Sequence, residues 1–153
     1  MKPSTKNFQI RWLLVSVFLI LTGCEGYESS IPDAYVYVVR NIYATKLNEP
    51  GTTCYISSSN QATDGIGYGG IIIVHAFDGE YYAFDLACPV EHDRKVLIED
   101  ADPELKDLVC KCNTCKEEYE LGWGSGIPTN NISKEPLRRY RIRISNDNII
   151  VTR

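Results

Sequence analysis

Only two histidines and one methionine occur among the 153 residues, and that scarcity removes whole classes of chemistry. With His75 and His92 the only imidazoles and the acids scattered, neither a Ser/His/Asp triad nor a paired-carboxylate site can be assembled, so hydrolase chemistry is excluded. Long apolar runs are lacking too. The longest, Trp12 to Leu21, is half of the roughly 20 residues that a spanning helix requires. There is no excess of positive charge: 16 Lys+Arg against 20 Asp+Glu give a net charge of −4, which leaves no electrostatic footprint for a nucleic acid. No internal repeat, heptad pattern or long helix-period stretch appears, which excludes coiled coils and solenoids. What is present, 44% apolar and 24% charged residues, suits one ordinary globular domain.

The N-terminus reads as a targeting segment. Lys2, Lys6 and Arg11 make a positive region, Trp12 to Leu21 an apolar one, and Leu21-Thr22-Gly23-Cys24 follows directly. This pattern resembles a bacterial lipoprotein signal, which implies cleavage after Gly23, lipid on Cys24 and a place in the cell envelope, on the periplasmic or surface side. Residues 1–23 are then the signal peptide, 24–34 a short polar lipidated tether and 35–153 the domain. Loss of the three basic residues takes the net charge to −7. The expected setting is a membrane surface.

The remaining pattern is that of an all-β protein. Runs of period two or of β-branched residues predict strands over Tyr35–Ile42, Ile71–Phe77, Tyr81–Ala87, Val96–Glu99, Leu108–Lys111, Glu118–Leu121, Leu137–Ser145 and Ile149–Thr152. Asp78-Gly79 predicts a type I′ hairpin and Asn146-Asp147 a second hairpin. Tyr140, Ile142 and Ile144 share one strand face and Arg141 and Arg143 the other. Glycines at 65, 67, 69 and 70 predict a loop or bulge, since the spacing fails a phosphate-binding fingerprint and no helix follows. Asp102-Pro103 could start one helical turn.

Six cysteines less Cys24 leave Cys54, Cys88, Cys110, Cys112 and Cys115, an odd number that cannot all pair. Cys88-Pro89-Val90-Glu91-His92 and Cys110-Lys111-Cys112-Asn113-Thr114-Cys115 each lie in a loop beyond a predicted strand. Two clusters of soft and imidazole donors so placed can grip a metal from two sides.

The order of these elements is similar to that of a Rieske [2Fe-2S] domain. The likeness runs from Ile71 through Asp78-Gly79-Glu80-Tyr81-Tyr82-Ala83-Phe84 and Cys88 to Cys112-x2-Cys115 and Tyr119-Glu120-Leu121. It continues through Pro128, Pro136-Leu137 and Tyr140-Arg141-Ile142 to Ile149-Ile150-Val151. The resemblance implies small antiparallel β-sheets with a two-loop cluster tip and one-electron transfer to a redox protein partner. It carries Cys88 and Cys112 over as ligands, puts Cys115 where the family has a histidine, and leaves His92 as fourth ligand in place of a histidine at Val90. Such a Cys3His set adds one negative charge and lowers the potential below the family's range of roughly −150 to +300 mV.

The same cysteines admit other readings. Cys3His is also a structural zinc set. In an oxidising compartment Cys112 could pair with Cys115 and Cys110 with Cys54, leaving a binding module without a cluster. A family protein exported already folded carries twin arginines, which the n-region lacks, and this favours those alternatives. A thiol oxidoreductase needs a βαβ context that is missing. His92 has Asp93 or Asp100 as alternative partners. His75 reads as a sheet-face histidine, the arginines at 138, 139, 141 and 143 as a solvated strand face, and Trp123 as turn packing. Asn131-Ile132-Ser133 matches a glycosylation acceptor, which a bacterial setting discounts.

Overall fold

Ile71–His75 is buried along its whole length, and a strand that is apolar on both faces has to be covered on both. That requirement organises the molecule. In the computed structural model, which describes residues 29–57, 65–100 and 108–153, ten strands run β1 Val36–Asn41, β2 Thr52–Ile56, β3 Gly65–Ile66, β4 Ile71–His75, β5 Tyr81–Asp85, β6 Ile98–Asp100, β7 Val109–Cys112, β8 Glu118–Glu120, β9 Arg139–Ser145 and β10 Asn148–Thr152. The all-β, antiparallel architecture expected from the sequence is what the chain adopts.

Seven strands pair in the order β2-β4-β5-β9-β10-β1-β3, and β6-β7-β8 form a separate small sheet. The long sheet turns at the β5–β9 junction, where only Ala83↔Tyr140 and Phe84↔Arg139 pair. Alternation along β4 then builds two cores. Ile71 and Ile73 pack with Val36, Val38, Ala83 and Val151 between the two halves of the long sheet. Ile72 and Val74 pack with Phe84, Ile98, Cys110 and Tyr119 against the small sheet. Each fully buried aliphatic side chain contributes roughly 1.5–3 kcal/mol, so β4 alone ties both layers together.

Three expectations change in detail. β2 and β3 were not foreseen: the first is short and hydroxyl-rich, and the second is two residues of the glycine-rich stretch, held by pairing with β1. At Asp78-Gly79 only Gly79 takes a positive φ, +83°, so the turn is not type I′. Gly79 donates to the Ala76 carbonyl and Ala76 to the Glu80 carbonyl. That is a three-residue loop ending in a left-handed glycine. Cys54 and Cys110 cannot pair, because Cys54 packs on the long-sheet core and Cys110 on the other; all five described cysteines are free thiols. The N-terminal signal, Cys24 and the helical turn expected at Pro103 lie outside the described residues.

Candidate metal centre

Two buried carboxylates aim the cysteine loops. Asp85, the last residue of β5, is fully buried and accepts from the backbone N–H groups of Tyr68 (2.8 Å), Gly69 (2.9 Å) and Ala87 (2.8 Å) and from the Tyr140 hydroxyl (2.6 Å). One side chain thereby fixes the glycine-rich loop and the backbone entering Cys88. A Cβ on Gly69 would lie 2.7 Å from the Ala87 nitrogen, so the close pass of the two segments requires glycine there. Glu117, also fully buried, does the same for the second loop, accepting from Glu118 N (3.0 Å), Asn130 N (2.9 Å) and Ser133 N (2.5 Å). It ties the stretch after Cys115 to the segment at 130–133.

Between these anchors the sulfurs of Cys88, Cys112 and Cys115 converge, all within 4.8 Å of one another. Cys88 and Cys112 are buried, Cys115 half-buried. Cys88 Sγ lies 3.6 Å from Cys115 Sγ and 3.7 Å from the Tyr119 hydroxyl. Burial pushes the Cys88 thiol up, partly offset by the backbone N–H groups of Glu91 and Val90 at its sulfur. Burial also raises Cys115, to about 12, against the Glu117 N–H. Cys112 goes the other way. Burial opposes its ionisation, but the N–H groups of Cys115 and Thr114 and the neighbouring thiols hold it below the ordinary thiol value. Of the three, Cys112 is thus the one whose surroundings favour the thiolate, whereas burial favours the protonated form of its two neighbours.

His92 stands outside this group. It is exposed, has φ +52°, and its Nδ1 lies 3.2 Å from Ser30 Oγ. Neither Asp93 nor Asp100 holds its ring. Ser30 belongs to a strap laid over the domain: Ile31 is buried, its carbonyl accepts from Arg138 (2.7 Å), and Asp33 pairs with Arg138 and Arg153. The segment read as a tether is thus docked from residue 29 onward, and Arg138 leaves the expected solvated arginine face for that ion pair.

The other singled-out residues have structural places. His75 is buried and stacks on Tyr81 at 4.3 Å, and Trp123 meets Phe77 edge-on at 5.9 Å. Arg139, Arg141 and Arg143 are exposed on β9. Sequence reasoning missed Asp85, Glu117 and Ser30, and quoted Tyr119 without giving it a place beside the Cys88 sulfur. Asp85 could have been found as a lone acid at the end of an apolar strand, where a buried carboxylate needs several donors, whereas Glu117 has no such signal beside Glu118.

No family model matches the sequence, and no curated protein matches it. Among solved structures, the chain is similar to one in the complex of reduced oxygenase and oxidised ferredoxin in carbazole 1,9a-dioxygenase, with a TM-score of 0.49, 15% identity, and 76% of this chain and 93% of that one covered. It is similar to the ferredoxin of carbazole 1,9a-dioxygenase from Nocardioides aromaticivorans IC177 at TM-score 0.44 and 18% identity, over 76% of this chain and 97% of that one. It is also similar to a Mycobacterium tuberculosis protein assigned as an NADH-dependent nitrite reductase small subunit, at TM-score 0.44 and 15% identity, over 78% of this chain and 96% of that one.

Proposed function

We propose that this chain is a lipid-anchored domain of the bacterial envelope that binds a metal centre through Cys88, Cys112 and Cys115. The observation that carries the reading is the convergence of three sulfurs, brought from two separate loops to within 4.8 Å of one another. Lipid on Cys24 would leave residues 24–28 between the anchor and the docked strap, a reach of at most about 18 Å, so the centre would work close to the bilayer.

The donor set fits a thiophilic cation, and the one close sulfur pair fits two ligands of the same metal ion. A tetrahedral ion with metal–sulfur bonds near 2.3 Å sets its thiolates about 3.8 Å apart, and 3.6 Å separates Cys88 and Cys115. A two-iron cluster instead divides its ligands between two metals. In the single-ion reading zinc is held in a Rieske-like frame, and the domain is a binding module whose tip the ion rigidifies.

The second reading follows the resemblance of residues 70–152: a [2Fe-2S] cluster with His92 as fourth ligand, transferring one electron to a redox protein partner. Its support is the order of strands and cysteine loops. It requires His92 to leave Ser30 and the sulfurs to separate. A bound cluster would supply a reversible one-electron couple, and the chain would supply burial, the Tyr119 hydroxyl and the loop N–H groups around Cys88 and Cys112.

Counting zinc, iron and acid-labile sulfide in the protein purified from its host, with absorption and EPR spectra, separates the readings. One zinc and no sulfide per chain is expected. Iron and sulfide near two each, with a reduced-state EPR signal, would establish the cluster. No metal, with metal content and thermal stability unaffected by Cys88→Ser and Cys112→Ser, would refute both.

A further inference from the structure

The two cysteine loops are the same turn built twice. In the first, the Cys88 carbonyl accepts from the N–H four residues on, that of His92, at 3.1 Å; in the second, the Cys112 carbonyl accepts from the N–H four residues on, that of Lys116, at 2.9 Å. His92 and Lys116 both take the left-handed conformation, φ +52° and +68°. That costs a non-glycine residue about 1–2 kcal/mol and persists where the surroundings impose it. The sulfur of Cys88 receives the N–H groups of Val90 and Glu91, and that of Cys112 receives those of Thr114 and Cys115. Burial follows the same sequence: each leading cysteine is buried, the residue three places on half-buried, the residue four places on exposed.

In the second loop the place three residues on holds a metal donor, Cys115. Its counterpart in the first loop is Glu91. His92 is the counterpart of Lys116, whose Nζ turns outward onto the Asn113 carbonyl at 2.6 Å, just as the His92 ring turns outward onto Ser30. We propose that Cys88, Glu91, Cys112 and Cys115 form one four-coordinate, single-ion site, with a carboxylate oxygen of Glu91 as fourth ligand and His92 outside it. In this structure the Glu91 carboxylate is not among the atoms within 4.8 Å of one another. The side chain is two bonds longer than cysteine beyond Cβ, so rotation about its own torsions gives it the reach. Zinc accepts carboxylate oxygen beside thiolate sulfur. On binding, the cysteine thiols that still carry protons release them to solvent.

This inference rests on the metal-binding reading, and the experiment separates the two. The full chain is prepared metal-free as wild type, Glu91→Gln, Glu91→Cys and His92→Ala, each checked by circular dichroism, and titrated with Zn2+ and with Co2+ as a spectroscopic probe. Glu91→Gln should weaken Zn2+ binding about tenfold or more, the least expected for a ligand when its outer partners are worth 10–100-fold; His92→Ala should change it less than twofold. Glu91→Cys should raise the thiolate-to-cobalt absorption by about a third, four thiolates replacing three. That gain of signal does not depend on a damaged variant.

A loss of affinity confined to His92→Ala, or a cobalt spectrum unchanged by Glu91→Cys, would overturn the assignment of Glu91 with the metal site intact. A wild-type chain that takes up neither ion would overturn the metal-binding reading itself. Iron and sulfide in pairs would overturn the single ion.

Discussion

Removing the Glu117 carboxylate tests whether buried charge aims the second cysteine loop. Its Oε1 accepts from Glu118 and Asn130 and its Oε2 from Ser133, and the residue has no solvent access. Glu117→Gln keeps one oxygen but turns an amide N–H2 toward a backbone N–H, so at least one charge-assisted bond, worth about 1.5–3 kcal/mol, is lost. Glu117→Ala leaves three backbone donors without their acceptor, each costing about 1–3 kcal/mol where water cannot replace it. The expected losses are about 2 kcal/mol for glutamine and 4 kcal/mol or more for alanine, against a total of 5–15 kcal/mol typical of a domain. Urea denaturation of the metal-free chain measures both. Because the Glu117 N–H also serves the Cys115 sulfur, Zn2+ affinity should fall with the alanine variant by more than the urea curve alone accounts for. An alanine variant within 1 kcal/mol of wild type, with unchanged Zn2+ affinity, would refute the anchoring role.

Tyr119→Phe removes the hydroxyl 3.7 Å from the Cys88 sulfur, a contact that favours the thiolate, and should cost about 1 kcal/mol while raising the Cys88 thiol further, which thiol alkylation rates against pH would detect. Gly67→Ala places a Cβ 2.6 Å from the Tyr140 hydroxyl and 2.8 Å from the Asp85 carboxylate at φ +78°; strain plus a displaced hydrogen bond should cost about 3 kcal/mol, read as a shifted urea midpoint. For pH, the Cys115 thiol is raised on folding from 9.0 to about 12, so the folded state holds that proton longer. Its contribution to metal-free stability is fully present below pH 9 and is lost as pH rises through about 12, which a series of urea midpoints across that range should follow. Zn2+ affinity should rise with pH below 9, because binding expels protons that Cys88 and Cys115 retain.

The strands were legible where one chemical pattern fixed them. Ile71 to Val74 is apolar throughout, and Tyr140-Arg141-Ile142-Arg143 alternates, so both could be placed without knowing their partners. Thr52–Ile56 lacks such a pattern, because its pairing with β4 supplies what its own sequence does not. The clustering of Cys88, Cys112 and Cys115 was foreseeable, since both cysteine-bearing segments follow predicted strands and the Cys112-x2-Cys115 spacing lets two sulfurs converge. The placing of His92 was not legible, because it depends on the loop's hydrogen bonds: four residues after Cys88 the chain turns left-handed and the ring is carried out to Ser30. Nor could the ion pairing of Asp33 with Arg138 be read, because it joins segments remote in sequence through a docked strap.

A purely structural account of the thiols has a real physical basis, since an uncharged cysteine is a small apolar side chain, and Cys88, Cys110 and Cys112 do pack in one core with Ile72 and Val74. Cys110 satisfies that account: burial first, with the nearby Asp100 and Glu120 charges adding to it, raises its thiol far above the ordinary value, and its sulfur only touches the Tyr119 carbonyl at 3.8 Å. Cys88 and Cys112 do not. Packing gives no reason for backbone N–H groups to turn toward a sulfur, for two non-glycine residues to take a left-handed conformation at the same offset, or for a third thiol to be drawn in from the half-exposed side. The N–H groups at Cys88 and Cys112 favour negative charge at those two sulfurs, an arrangement suited to a cation rather than to apolar packing. Cys110 and its neighbour two residues on thus share one face of one strand and differ in what their sulfurs meet: the apolar core and a single carbonyl at Cys110, backbone N–H groups and two further thiols at Cys112.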